Sequence, residues 1–173
     1  MAAPNVAGIA ALVVAQTDYN PYEVKSIIMN TATHDLITDG GVAYAPNRVG
    51  SGRVDALDAL NTKVLAYATD QPGLTSVNFG VLEVGGPVEL SRSVTIENKG
   101  DSPKTYTAEY LEATKVPGVS ITTDGKPVAV PANGKATVEL TLRVEDPAAM
   151  AKAIDPAAEE KQLGEFRQYL AEA

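Results

Sequence analysis

Apolar residues at the start of the chain surround a predicted helix on all sides. From Ala2 to Ala15 the run is interrupted only by Pro4, Asn5 and Gly8. A helix that is apolar all round belongs inside a large protein, because each of its faces needs a neighbour. The rest of the segment up to about residue 70 is too short to surround it. The pattern therefore predicts a helix over residues 3–15 that this chain leaves partly uncovered.

A secretory signal peptide is an alternative interpretation of the same run. Its length fits an apolar signal core, and Val13-Val14-Ala15 loosely resembles a small-residue cleavage site. However, a signal peptide begins with basic residues, and here no Lys or Arg precedes Lys25. The run is also shorter than the roughly 18–20 apolar residues that a membrane-spanning helix needs. We therefore expect neither a signal peptide nor membrane insertion.

The next segment carries the signals of an ordinary amphipathic helix over Asn20–Thr31. Asn20 is a good cap, Pro21 suits a helix start, and Glu23 lies in the first turn. The apolar residues at i, i+3 and i+4 are Val24, Ile27 and Ile28. A loop and a tight turn then lead to a short helix predicted at Asp55–Leu60, so the first segment is interpreted as helical.

From residue 71 to about 146 the apolar period changes from helical spacing to two, which is typical of strands. Four sets of residues share a phase: Val77, Phe79 and Val81; Leu90, Val94 and Ile96; Tyr106, Ala108 and Tyr110; Val138, Leu140, Leu142 and Val144. Regularly spaced short strands with one apolar face predict an antiparallel β-sandwich. The side chains expected inside it are Phe79, Val94, Ile96, Tyr106, Leu140 and Leu142.

Turn residues separate these strands. Short strands at Val119–Ile121 and Val128–Val130 flank Asp124-Gly125, which is a type I′ hairpin signal. Lys99-Gly100 and Asn133-Gly134 supply further turns. The segment is thus expected to fold as a series of hairpins.

The chain divides into three segments by composition: residues 1–70, 71–146 and 147–173. The last is rich in Ala, Glu, Lys and Gln. Asp146-Pro147 and Asp155-Pro156 can each begin a helix, whereas the aromatic and apolar residues near the end could equally form a strand of a larger domain. Those residues are Phe166, Tyr169 and Leu170.

Charge and cysteine content exclude several classes of function. Lys and Arg number 14 against 22 Asp and Glu, which gives a formal net charge of −8. This argues against binding to nucleic acid and to anionic membranes, both of which require a basic surface. The chain has no Cys, so disulfides, thiolate zinc sites and cysteine nucleophiles are excluded.

Metal and phosphate sites have only weak candidates. Asp55 and Asp58 lie at i, i+3, but two carboxylates on a short exposed helix are usually solvated. Gly50-Ser51-Gly52 is not followed by the Lys-Ser/Thr of a phosphate-binding loop. We therefore expect no metal and no cofactor.

The opening residues carry the most informative motif: Met1-Ala2-Ala3-Pro4-Asn5-Val6-Ala7-Gly8. This motif resembles the segment directly after the nucleophile of subtilisin-like serine peptidases, where Gly-Thr-Ser precedes Met-Ala-Ala/Ser-Pro-His-Val-Ala-Gly. The resemblance continues to about residue 60 through Ala10-Ala11-Leu12, Asn20-Pro21, Asn30-Thr31-Ala32-Thr33 and Gly50-Ser51-Gly52-Arg53-Val54-Asp55-Ala56. Asn5 departs from the commoner His, which is not a triad residue.

The resemblance implies the end of an α/β catalytic domain that hydrolyses peptide bonds by Ser-His-Asp acyl transfer. The nucleophilic serine would immediately precede Met1, and the Asp and His of the triad would lie further upstream. No catalytic residue is therefore expected in this chain, which is interpreted as a fragment that is inactive alone. Support next to the active site is expected from Met1, Ala2, Ala3, Pro4, Asn5 and Gly8.

His34 does not fit the order of this triad. In subtilisin the His precedes the Ser, whereas His34 follows the motif in the Thr33-His34-Asp35 loop. It is expected to be a surface residue. Asp35 and Asp124 are interpreted as turn formers and Ser51 as a loop residue.

The second segment resembles the fibronectin-III-like domains that follow the catalytic domain in long secreted subtilases. The residues that carry this resemblance are Val77-Asn78-Phe79-Gly80 and Ser93-Val94-Thr95-Ile96-Glu97-Asn98-Lys99-Gly100. Residues 167–173 resemble the stretch leading to the last strands, so the sandwich is expected to be incomplete. The resemblance implies a secreted parent enzyme acting on proteins or peptides, while the isolated chain is expected to self-associate.

A different class of protein is compatible with the same patterns. The chain could be a non-enzymatic secreted β-sandwich module that binds or spaces other domains. Residues 1–15 would then be a degraded signal or a docking helix. The codons directly upstream of Met1 distinguish the two hypotheses.

Overall fold

The computed structural model describes residues 2–35, 37, 41, 43–44, 46–112 and 115–150. Helices come first along this part of the chain and strands follow. The helices are α1 (Ala2–Gln16), α2 (Pro21–Asn30), α3 (Pro46–Val49), α4 (Ala56–Asn61) and α5 (Pro147–Met150). The strands are β1 (Val64–Ala68), β2 (Val88–Asn98), β3 (Lys104–Thr107), β4 (Val119–Thr123), β5 (Pro127–Val130) and β6 (Lys135–Val144). None of the helices in these residues is long and apolar enough to cross a membrane.

Helix α2 begins where its capping residues predict. The Asn20 side chain accepts hydrogen bonds from the backbone N–H of Tyr22 and Glu23, and a Glu23 carboxylate oxygen accepts one from Asn20 N at 2.8 Å. This reciprocal box satisfies amides that have no partner within the helix. Pro21 fits at the first helical position because its missing N–H would be unpaired there. The predicted helix is confirmed.

A hydrophobic core joins the helices to the first strand. Its buried residues are Val13 of α1, Val24, Ile27 and Ile28 of α2, Ala59 of α4 and Leu65 of β1. The predicted stripe of α2 is therefore confirmed as buried. Strand β1, in contrast, lies in the segment interpreted as helical. That interpretation is wrong at residues 64–68, because pairing with β2 and burial of Leu65 outweigh local propensity.

The strands form two antiparallel sheets. One has four strands in the order β1-β2-β6-β4, and the other pairs β3 with β5. In the first sheet Val94 lies opposite Val138 and Leu90 opposite Leu142, so their apolar side chains share a face. Strand β5 contacts both β6 and β2. The described chain thus combines helices with antiparallel sheet.

The residues expected inside the sheet segment are covered to different degrees. Leu142 is buried, whereas Phe79, Val94, Ile96, Tyr106 and Leu140 are half-buried. The expected strand through Val77, Phe79 and Val81 is wrong. Residues 77–84 have no strand partner in the described chain, and Val81 is fully exposed. Alternating burial persists at Val77 and Phe79 without a ladder of hydrogen bonds.

The expectation of a hairpin at Asp124-Gly125 is also wrong. Strand β4 pairs with β6 and β5 pairs with β3, so this turn carries the chain from one sheet to the other. Lys99-Gly100 and Asn133-Gly134 likewise connect strands of different sheets. The turn is not of type I′ either, because Gly125 has a positive φ and Asp124 does not. The Asp124 carboxylate still accepts a local hydrogen bond from Lys126 N at 3.2 Å. Local turn signals do not determine which strands pair.

The third segment is described only at its beginning. Helix α5 starts at Pro147, and the Asp146 carboxylate accepts hydrogen bonds from Ala148 N and Ala149 N. The predicted helix start at Asp146-Pro147 is therefore confirmed. Residues 151–173, with the Asp155-Pro156 signal and the aromatic end, lie outside the described residues.

Asn98 holds together two of the turns that switch sheets. Its side chain is 1% exposed, donates to Ser102 O at 2.8 Å and Pro131 O at 3.1 Å, and accepts from Gly100 N at 2.9 Å. Removing one partner of a buried hydrogen bond costs roughly 1–3 kcal/mol. We expect Asn98→Ala to lower the free energy of unfolding by about 3 kcal/mol, measured by urea denaturation. Asn78 accepts one exposed hydrogen bond, from Gly80 N. Asn78→Ala should therefore change the free energy of unfolding by less than about 0.5 kcal/mol. Equal losses would contradict this role for Asn98.

Candidate functional site: the start of helix α1 and its surroundings

The residues expected next to an active site lie on the first two turns of α1. Ala2, Ala3, Pro4, Asn5 and Gly8 are all exposed, and Met1 lies outside the described residues. Pro4 is compatible with the helix because the amides of the first turn have no intrahelical acceptor. A Cβ at Gly8 would meet nothing within 4 Å. This end of α1 is therefore an open surface of small side chains.

Most of α1 is uncovered, as its sequence pattern predicts. Val13 is its one buried residue, whereas Val6 is 37%, Leu12 48% and Val14 57% exposed. The helix is about 22 Å long and packs against α2 and α4 on one side. The opposite apolar side faces solvent in this structure. Such a surface is typical of a helix that has a further partner.

The exposed side of α1 predicts association of the isolated chain. We expect light scattering to give a mass above the 18.0 kDa of one chain. The double variant Leu12→Gln/Val14→Gln should shift the distribution toward the monomer, because apolar contact favours association by about 25 cal/mol per Å². The control Val81→Gln/Leu111→Gln also removes two exposed apolar side chains, but from loops, and should have little effect. A monodisperse wild-type monomer would contradict the prediction.

A sharp turn at Gly52 ends the loop that follows α2. Thr33 and Arg53 form an isolated antiparallel bridge, with Thr33 N donating to Arg53 O at 2.8 Å. Gly52 has φ +108, and a Cβ there would lie 2.0 Å from Thr33 O. Only Gly fits this backbone. The bridge explains why the last position of Gly50-Ser51-Gly52 requires a glycine.

The Asp35 carboxylate strengthens this bridge at the surface. It accepts hydrogen bonds from Arg53 Nη2 at 2.6 Å and Thr33 Oγ1 at 2.7 Å. Both hydrogen bonds lower the pKa of Asp35 below its ordinary value, and the one from Arg53 has the larger effect. Both charged side chains are more than half exposed. Asp35 thus acts in loop structure, in line with its interpretation as a turn former.

His34 lies on the surface beside a small pocket of about 90 Å³. The described residues that line the pocket with it are Ala43, Tyr44, Pro46, Val49, Gly50 and Gly52. Ser51 is not among them, so the structure does not bring a serine hydroxyl to His34 in this pocket. The described residues of this pocket therefore offer no nucleophile–base pair of the kind that acyl transfer requires.

The carboxylates considered for metal binding have a structural role at α4. Asp55 is the N-cap of this helix and accepts a hydrogen bond from Asp58 N at 3.0 Å. Among the described residues no group of three or more His, Asp and Glu side chains could hold a metal ion.

A cluster of charged side chains lies between α2 and the sheet and was not predicted from the sequence. Lys99 Nζ lies 2.5 Å from Glu23 Oε1 and 2.8 Å from Glu97 Oε1. Glu97 Oε2 accepts hydrogen bonds from Tyr67 Oη at 2.8 Å and Lys135 Nζ at 3.0 Å. We call these five residues the Lys99 cluster. Glu23 and Lys99 are 76 positions apart, so no local motif could have revealed their contact.

The electrostatics of the Lys99 cluster favour its charged forms. Burial alone would lower the pKa of Lys99, but the carboxylates of Glu23 and Glu97 outweigh it and raise that pKa above its ordinary value. Burial alone would raise the pKa of Glu97, yet hydrogen bonds from Lys99, Tyr67 and Lys135 lower it. Each charge is therefore stabilised by its neighbours.

Comparison with known proteins gives a family match for the first part of the chain. Residues 1–52 match the family model of the subtilase peptidases, family S8. The match contains α1, α2 and α3 and ends at the Gly52 turn. None of the curated proteins compared with the chain matches it. Residues 1–52 are thus similar to the subtilase family, and the sheet segment lies beyond the match.

Proposed function

We propose that the chain is the C-terminal part of a secreted subtilisin-like serine endopeptidase. In this proposal residues 1–70 complete the catalytic domain, and the nucleophilic serine of the parent enzyme immediately precedes Met1. The observation that carries the proposal is the family match over residues 1–52. The 173 residues alone are then inactive, because the Ser, His and Asp of the triad all lie upstream.

The uncovered helix α1 supports this proposal. A nucleophile at the start of a helix has backbone N–H groups directed toward the developing oxyanion, and the helix dipole favours negative charge there. Small residues at Ala2, Ala3 and Gly8 would let the rest of a catalytic domain approach this helix closely. The exposed side chains of Val6, Leu12 and Val14 would be buried by that domain. The helix thus has the surface of an internal element.

We further propose that residues 71–146 form a fibronectin-III-like β-sandwich. Its support is the topology: after β2, the connections to β3, β4, β5 and β6 each lead from one sheet to the other. Switching sheets in this way is characteristic of sandwiches, and β5 lies against β6 and β2. Residues beyond 146 lead toward the last strands in this proposal. The substrates of the parent enzyme are proteins or peptides.

The upstream codons test the peptidase proposal. We expect the genomic DNA directly before the Met1 codon to read in frame as Gly-Thr-Ser. The catalytic His and Asp should be encoded further upstream in the same frame. A stop codon or a promoter directly before Met1 would contradict the proposal and favour the non-enzymatic β-sandwich module.

A further inference from the structure

Helix α2 is bound along its length to the sheet side of the molecule. Four of its polar side chains make contacts with residues that follow position 62. These contacts are Glu23 to Lys99 at 2.5 Å, Lys25 Nζ to Gly73 O at 3.2 Å, Ser26 Oγ to Thr75 Oγ1 at 3.2 Å and Asn30 Oδ1 to Ala66 N at 2.7 Å. Ser26 is only 2% exposed. These contacts fix α2 at both of its ends.

Strand β1 belongs to both parts of the molecule. Its residue Leu65 is buried in the core formed by α1, α2 and α4. Its backbone pairs with β2 from Val64 opposite Asn98 to Ala68 opposite Val94. A flexible linker is therefore not present between the helices and the four-stranded sheet in the described residues. The boundary at residue 70 falls just after an element that the two parts share.

We propose that the Glu23–Lys99–Glu97 bridge is a latch that positions the α1–α2 helix pair on the four-stranded sheet. The sheet segment is then a fixed support of the helices. The catalytic meaning of the latch rests on the proposed function, in which α1 begins next to the nucleophile. Lys99 is in that case a positioning residue, which acts on the active-site helix through Glu23 and α2.

Partial burial gives this bridge more weight than a surface ion pair. The side chains of Lys99, Glu23 and Glu97 are 30%, 17% and 12% exposed, so water screens their charges incompletely. Removing Lys99 leaves two partly buried carboxylates without their shared cation, which is more costly than losing an exposed pair. Lys135 still neutralises Glu97 but contacts no residue of α2 in the described structure. Only the Lys99 side of the cluster reaches the helix.

Hydrogen exchange of individual amides in the 173-residue chain tests the latch. In the wild type we expect the amides of α2 and β2 to be protected to a similar degree. Lys99→Met should accelerate exchange in α2 by about tenfold, while amides at the centre of β6 change less than about twofold. Glu23→Gln should act like Lys99→Met, because it removes the negative charge that Lys99 contacts on α2. A Gln oxygen can still accept from Asn20 N, so the helix cap is preserved.

Two control variants separate the latch from general stability. Lys135→Met removes a cation from Glu97 without touching the contact to α2, and should leave exchange in α2 unchanged. Lys99→Arg retains the positive charge and should restore protection of α2 to within about threefold of the wild type. The latch is refuted if Lys99→Met and Lys135→Met affect α2 equally, or if Arg does not restore protection.

A pH profile adds a readout that a purely steric role of Lys99 would not change. Glu97 has a lowered pKa, so its contribution is present above the unfolded value of about 4.3 and lost as the pH falls through the folded pKa. Lys99 has a raised pKa, so its contribution is complete below about 10.4 and lost only as the pH rises through the folded pKa. The other titratable groups facing Lys99 are Glu23 and, through its ring, Tyr19, whose centroid lies 6.0 Å away. Lys135 and Tyr67 contact Glu97.

The difference in α2 exchange between wild type and Lys99→Met should thus be constant from about pH 5 to 9 and shrink below about pH 4. A difference independent of pH down to pH 3 would refute the electrostatic latch. These experiments have no activity readout, so their failure leaves the peptidase proposal untouched. If the exchange data confirm the latch and the codons before Met1 do not encode Gly-Thr-Ser, only the peptidase proposal is refuted.

Discussion

Incubated with casein, the purified 173-residue chain should release peptides no faster than buffer does. Removing all three triad residues of subtilisin, a member of the matched family, lowers kcat by about 10⁶-fold. The activity that remains there depends on an intact oxyanion hole and binding cleft. The proposal places the triad and most of that cleft upstream of Met1, so even the residual rate is lost.

The control for this assay is the same chain extended upstream through the catalytic domain. It should hydrolyse casein, and replacing the serine before Met1 by Ala should abolish that hydrolysis. Peptide release by the unextended chain that disappears in His34→Ala would contradict the proposal. It would show that an active site had assembled around His34.

Gly52→Ala is expected to be the most destabilising of the single substitutions considered. The new Cβ would lie 2.0 Å from Thr33 O, at a φ of +108 that residues with a Cβ rarely adopt. Strain at such a backbone costs about 1–3 kcal/mol and steric overlap a similar amount. We expect the free energy of unfolding to fall by about 4 kcal/mol, measured by urea denaturation.

Gly50→Ala provides the matched control, two positions away in the same turn. Gly50 also has a positive φ, of +57, but a Cβ there would meet nothing within 4 Å. The cost is then the backbone term alone, about 1–2 kcal/mol. If the two substitutions destabilise the chain equally, the close approach to Thr33 O does not constrain this turn.

The elements predicted correctly are those whose signals are local. Helix α2 follows from the cap at Asn20, Pro21 and the stripe at Val24, Ile27 and Ile28. Strands β4 and β6 follow from alternating residues and the turns that bound them. In each case a few neighbouring residues determine the backbone, because the capping and turn interactions span only three or four positions.

The features that escaped prediction depend on partners far along the chain. Strand β1 forms because β2 pairs with it, some 30 residues later in the register. Asp124-Gly125 reverses the chain direction, but the strands on either side pair with β6 and β3 instead of with each other. A turn motif specifies a change of direction and leaves the choice of partner to packing.

The candidate site also combines a feature with a local sequence signal and a feature that depends on distant partners. The motif from Met1 to Gly8 is contiguous, so its resemblance to the segment after a subtilase nucleophile could be seen in the sequence. The Lys99 cluster brings together residues from α2, β1, β2 and β6 with the turn after β2. Each of these residues alone resembles an ordinary surface charge or tyrosine. Only the fold shows that these side chains contact one another.

Mapping of a fluorophosphonate label on the upstream-extended chain tests directly whether the nucleophilic serine precedes Met1. Lys25 is the first Lys or Arg after Met1, so trypsin should give a peptide that runs through Met1 and ends at Lys25. We expect the label on the serine directly before Met1 in that peptide. A label on any serine after Lys25, or a folded extended chain that takes up no label, would contradict it.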